Sequence, residues 1–261
     1  MWGMNVLGVL RGAGVILANR QNRIAPEQGS ENEDKLTVLE HLAELRTRLI
    51  RATLATAVTT GISFVFARQI FEFLLVPAGG IKPVFIEVTE MLGAYFKVAL
   101  YAGLILASPI LIYEIVGFVL PAMTRRERSY ALRLLPAIAI SFFVGVAFGY
   151  YVLLPPAIKF LLNFGSEIAQ PQIRIGNYIS VVTRLLFWIG IAFETPVTMY
   201  FLGKLHLVNY QKLARFRRYA YVVAFVLGAI ITPTFDPINQ LFVAGPLILL
   251  YELGLLLVRY G

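Results

Sequence analysis

The stretch WIGIAFETPVTMYFL, residues 188–202, puts a carboxylate, Glu194, inside an apolar run that otherwise reads as membrane-spanning. A mid-span charge opposes insertion by about 3 kcal/mol, while each Leu, Ile or Phe favours it by about 0.3–0.6 kcal/mol. The flanking Leu185, Leu186, Phe187, Ile189, Ile191 and Phe193 let the run carry one acid and still insert. Intramembrane acids face a bundle interior or a wet cavity, and function is their default reading. The alternative is a structural carboxylate, protonated or hydrogen-bonded to a neighbouring helix. Pro196 lacks an N–H and releases the Ala192 carbonyl, which Thr195, Thr198 or a water would then satisfy. A kinked helix with a polar concavity is expected. Lys97, Arg184, Glu114 and Gln240 are further polar residues to share it. For Lys97 and Arg184, snorkelling to the interface explains them equally well, and Glu114 and Glu252 lie near span ends where a charge costs less.

Two more carboxylates lie outside the apolar runs. Glu44 stands in LTVLEHLAELRTRLI, where Leu39, Leu42, Leu45 and Leu49 form a helical stripe. Glu127 stands in MTRRERS. Each has a local explanation: Glu44 can pair with Arg48 one turn on, and Thr124 with Glu127 fits a capping box, as does Thr37 with Glu40. Each can also hold a guanidinium by paired, charge-assisted hydrogen bonds. Other chemistry is poorly supported. There is no cysteine, and His41 and His206 fit no HExxH pattern, so no metal site is expected. No glycine-rich phosphate loop or GxSxG motif is present, so neither a catalytic residue nor a cofactor is expected.

Composition names the solvent of the elements that position these residues. Mean hydropathy is +0.74 and 58% of residues are hydrophobic, more than a soluble domain of this size can hide. Six spans are predicted, at about 49–67, 91–119, 134–154, 178–202, 219–232 and 238–258, separated by proline-, glycine- and charge-bearing segments. Residues 219–232 give only about 21 Å of helix. That predicts a short hairpin of the last two helices, unless the helix runs back into 214–218 with its arginines snorkelling. Lys and Arg collect before span one, between spans two and three, and between spans four and five, which places both termini in the cytoplasm. The net charge of +8 is read in this way, not as a nucleic-acid surface. Residues 1–36 form an N-terminal extension, interfacial or disordered, with a polar linker at 26–35; residues 37–261 form the membrane domain.

EHLAELRTRL, LASPILIYEIVGFVLPAMTRRER, FETP, ITPTFDPINQ and PLILLYELG, in that order, resemble the TatC family, the multi-spanning receptors of twin-arginine protein export. The resemblance covers roughly residues 37–261. It implies an all-α integral membrane protein of six spans, both termini cytoplasmic, the last two helices short, in a concave bundle of the inner (cytoplasmic) membrane. It implies that twin-arginine signal peptides of folded proteins are bound at the cytoplasmic face by Glu44, Arg46 and Glu127. Glu194 is implied to form an intramembrane polar site with Gln240 for the transmembrane helices of TatA or TatB. Asp236 and Pro77 match further family positions. Oligomeric assembly in the Tat receptor complex and use of the proton motive force, without a cofactor, are also implied. A proton- or ion-coupled small-solute transporter using Glu194, Lys97 and Arg184 is the alternative; it predicts internal repeats, and the sequence has none. A passive scaffold would leave Glu44 and Glu127 as helix caps only.

Overall fold

The computed structural model describes residues 27–79, 83–164, 172–232 and 237–260. The chain divides into two units, Met1–Leu49 and Ile50–Gly261. In the first, the described residues are all helical, forming the start of α1 (Glu27–Val65), which continues into the second unit. The segment read as a polar linker is therefore helical from Glu27 onward. Its Glu, Gln and Lys residues are good helix formers, and Glu31 stands four residues before Lys35. Thr37 lies inside this helix, so it does not cap one. Leu42, Leu45 and Leu49 of the expected stripe are exposed.

In the second unit α1 ends at Val65, and α2 (Ala67–Leu75) follows with a 74° bend. Then come α3 (Glu90–Val119), α4 (Arg125–Phe148), α5 (Leu154–Asn163), α6 (Ile175–Lys204), α7 (Tyr210–Ile231) and α8 (Pro237–Tyr260). Among the described residues four segments are long and apolar enough to cross a membrane: Glu90–Val119, Arg125–Asn163, Ile175–Lys204 and Gln240–Tyr260. The bent pair of α1 and α2 makes a fifth if counted as one span. At the fifth expected span, the helix does run back through Arg218, Arg217 and Arg215, reaching Tyr210. Asn209 starts it, its side chain accepting from the Lys212 N–H at 2.9 Å.

The core gathers on α6. Ile179, Val182 and Ile189 are fully buried there, against Val98 of α3, Leu154 of α5 and Val243 of α8. α4 comes close enough to α6 that glycine is needed at the crossing. A Cβ on Gly145 would lie 2.7 Å from the Phe193 Cβ, and one on Gly190 2.8 Å from Phe142 Cε2. A wider helical turn, Gly149–Leu153, joins α4 to α5. Pro155 and Pro156 follow it; their missing N–H groups weaken the local ladder, a common setting for such a bulge.

That wide turn carries Tyr150, whose hydroxyl donates to the Phe73 carbonyl at 2.7 Å. Tyr178 of α6 donates to the Leu74 carbonyl at 2.8 Å. Both acceptors belong to the last turn of α2, where carbonyls lose their helical partners. Pro77, four residues after Phe73, cannot supply an N–H to it, so the Phe73 carbonyl accepts from the Val76 N–H as well as from Tyr150. Gly79 then leaves the turn at φ 66°. Tyr178→Phe is expected to lower stability by about 1–3 kcal/mol, because a buried acceptor loses its donor. Thermal unfolding in detergent reads this; an unchanged midpoint would discount the hydroxyl.

One end of the unit is stitched by polar contacts between distant segments. Glu90, at the start of α3, accepts from the backbone N–H groups of Ile86 (3.0 Å) and Gly176 (2.9 Å), and from Arg174 Nε (3.0 Å). Arg174 also pairs with Glu87. Val84 and Arg174 form a parallel bridge: the Val84 N–H donates to Ile173 and the Ile175 N–H to Val84, each at 2.9 Å. The two carboxylates raise the Arg174 pKa further, so its charge is fixed.

Candidate functional site

Glu44 lies on α1 in the first unit. Its Oε1 accepts from Arg48 Nε at 2.9 Å and Nη2 at 2.7 Å, the expected one-turn pair. Among the described residues its Oε2 has only His41 Nδ1 near it, at 3.8 Å. Arg46 is exposed on the same helix.

Glu127 lies in the second unit, in the first turn of α4. The capping box forms: Glu127 Oε2 accepts from the Thr124 N–H at 2.7 Å, and Thr124 Oγ1 from the Glu127 N–H at 3.4 Å. Oε1 accepts no bond among the described residues. Arg125, Arg126 and Arg128 are exposed around it. At both sites, then, one carboxylate oxygen is committed to its own helix and the other is open. The local explanation and the binding role are compatible in geometry.

Glu194 is half-buried on α6, and no hydrogen bond or ion pair reaches it among the described residues. The helix passes through Pro196 without ending. The expected partners of the freed carbonyl are not the ones found. Neither Thr195 nor Thr198 bonds Ala192; instead Ser141 of α4 donates to the adjacent Phe193 carbonyl at 2.6 Å. The close glycine crossing brings Ser141 within reach, while Thr195 lines an apolar groove.

Gln240 does not join Glu194. Its amide donates to the Phe225 carbonyl of α7 at 2.7 Å. α6 and α8 run parallel, with Met199 against Gly254 and Gly203 against Val258. In that register Glu194 is level with residues 249–250, about 14 Å along the helix from Gln240. Lys97 donates to Ser180 at 2.9 Å, and Arg184 reaches the Ile230 carbonyl at 3.4 Å. Glu114 is buried. Pro77 is half-buried in the turn after α2. Asp236 lies outside the described residues.

One polar cluster had no clear sequence signal. Glu252 of α8 accepts from Arg217 Nη2 at 2.7 Å and from the Tyr221 hydroxyl at 2.6 Å, both on α7. Arg217 counts toward orientation in a charge tally, and Glu252 reads as a snorkelling end residue; only their placement on facing helices reveals the tie. Between α6 and α7, with α8 as its floor, lies a groove of about 500 Å³ with a mostly apolar lining. Trp188, Thr195, Phe216, Tyr219 and Tyr251 are among its walls. Among the described residues no group of three His, Asp or Glu side chains is placed to hold a metal.

The chain is similar to known proteins over most of its length. A family model described as Sec-independent protein translocase protein (TatC) matches residues 40–246. The Sec-independent protein translocase protein TatC of Carboxydothermus hydrogenoformans is 38% identical over 231 residues, covering 87% of this chain and 95% of that protein. That of Aquifex aeolicus is 39% identical, covering 85% and 94%. The chloroplastic protein of Arabidopsis thaliana is 33% identical, covering 87% and 68%. A crystal structure of the twin arginine translocase receptor TatC superposes with a TM-score of 0.77 at 39% identity, covering 84% of this chain and 98% of that one. The chain belongs to the TatC family of Sec-independent protein translocase proteins.

Proposed function

We propose that this chain is the receptor subunit that binds twin-arginine signal peptides of folded proteins at the cytoplasmic face of the inner membrane. In this reading six spans place both termini in the cytoplasm, with α7, short in apolar reach, and α8 as the closing hairpin. Glu44 and Glu127 each take one signal-peptide arginine on the open carboxylate oxygen, and Arg46, exposed near Glu44 on α1, is a further signal-peptide-binding residue. Residues 37–261 form the receptor domain, preceded by an N-terminal extension, and receptors assemble into an oligomeric Tat complex. Similarity to the twin arginine translocase receptor is the observation that carries this reading. The decisive experiment is twin-arginine-dependent crosslinking of a signal peptide to the purified receptor, with the outcomes given in the Discussion.

Glu194 serves a second surface of the same receptor. A half-buried carboxylate that no donor among the described residues satisfies is suited to a donor from another helix. The transmembrane helices of TatA or TatB supply it, while Gln240 is turned to the Phe225 carbonyl and Pro77 sits in the turn after α2. Glu194→Ala is expected to insert normally, since the span becomes more apolar, and to lose about five- to thirtyfold in crosslinking to those helices. Glu194→Gln retains part of it through its amide. Wild-type crosslinking and export in Glu194→Ala would remove the polar-site role.

A further inference from the structure

We propose that the groove between α6 and α7 binds an anionic phospholipid, its phosphate held by Lys212 and Arg215 and one acyl chain lying along the groove. The spacing of Lys212, Arg215, Phe216 and Tyr219 puts all four on one stripe of α7. Phe216 and Tyr219 line the groove, and the two basic residues stand one turn beyond them, toward the start of the helix. Both are exposed, and neither meets a carboxylate among the described residues.

Their neighbours are committed elsewhere. Arg217 is tied to Glu252, and Arg218 lies 4.7 Å over the Tyr219 ring and donates to its hydroxyl at 2.8 Å. Lys212 and Arg215 are thus the two cations near this end of the groove with no side-chain partner among the described residues, and Arg218 on Tyr219 adds a third positive charge beside them. An ammonium and a guanidinium together match the charge and the oxygens of a phosphodiester. Near a membrane surface each basic residue also adds to attraction for anionic lipid.

From Leu213 to Ile231 the groove follows α7 for about 27 Å, long enough for an extended acyl chain. The paired cations at one end favour an anionic headgroup over a purely apolar occupant. The inference needs the chain to sit in a bilayer and does not depend on the signal-peptide reading.

The test uses the full chain in detergent, stripped of co-purified lipid and titrated with phosphatidylglycerol or phosphatidylcholine of identical acyl chains. Native mass spectrometry counts the bound lipid. Retention of phosphatidylglycerol is expected to exceed that of phosphatidylcholine on the order of tenfold. The Lys212→Gln/Arg215→Gln variant is expected to bring the ratio near one at an unchanged thermal midpoint. Equal retention of the two lipids by the native chain, or an unaltered ratio in the variant, overturns the proposal. Phosphatidylglycerol with a photoreactive acyl chain, used on the native chain, tests the seat without a substitution. Labelled peptides from the groove walls, 188–195, 213–231 or 247–251, support it, and labelling confined to other segments overturns it.

Discussion

Glu127→Lys is expected to lower twin-arginine-dependent crosslinking by about ten- to a hundredfold. A hydrogen bond to a charged group contributes roughly 1.5–3 kcal/mol, and each 1.4 kcal/mol is a factor of about ten. Salt and water at the membrane surface draw the effect toward the lower figure. The substitution also adds a cation beside Arg125, Arg126 and Arg128, which are already exposed there. Glu127→Gln separates recognition from capping, because glutamine can also close the box that Thr124 and Glu127 form. That variant is expected to unfold at the wild-type temperature while binding the signal peptide several-fold less well. Glu44→Gln is expected to weaken binding similarly, although it also loosens the Arg48 pair. Undiminished crosslinking in both Gln variants would mean that these acids hold only their own helices.

Gly145→Leu is expected to prevent recovery of a monodisperse, folded protein. A Cβ at this position meets not only the Phe193 side chain but also the Ile189 carbonyl oxygen, at 2.9 Å. The side chain can turn aside; the backbone of a packed helix cannot. Overpacking a well-filled contact typically costs about 1–3 kcal/mol, and a leucine here exceeds one methyl by three carbons. Gly145→Ala should therefore fold with a loss of about 2 kcal/mol, and it should also disturb the neighbouring Ser141 bond to the Phe193 carbonyl. Gly93 and Gly245 serve as controls, because an added Cβ meets nothing within 4 Å at either. Alanine at those sites is expected to be neutral or slightly stabilising. A Gly145→Leu protein that melts with the wild type would show that α4 and α6 are not in close contact there.

Hydropathy located the apolar parts well because burial in lipid is a property of a continuous run. The expected spans 91–119, 178–202 and 238–258 lie inside α3, α6 and α8. Where a helix leaves the apolar zone, hydropathy is silent. It therefore missed the extension of α1 back to Glu27 and the break at Phe66 that separates α2. Asn209 was a readable cap for the early start of α7, but the arginines after it masked the helix. At the site, the Glu44–Arg48 pair and the Thr124–Glu127 box were legible because both are local. Ser141 with Phe193, Arg217 with Glu252, and Arg174 with Glu90 join residues 35 or more positions apart. No periodicity encodes such pairs. Gln240 illustrates the converse: one motif order suggested a shared site with Glu194, and helix register separates them.

The ion pairs of Arg174 have a mechanical consequence. They fasten the first turns of α3 and α6 to each other, and each of those helices is 30 residues long. If the two rods change angle with these ion pairs intact, that end is the pivot. With a lever of about 45 Å, a tilt of about 5° displaces the free end by about 4 Å. The far end of α3 leads into the turn before Glu127, so the fastened end and the carboxylate proposed to bind the signal peptide stand at opposite ends of the same rod.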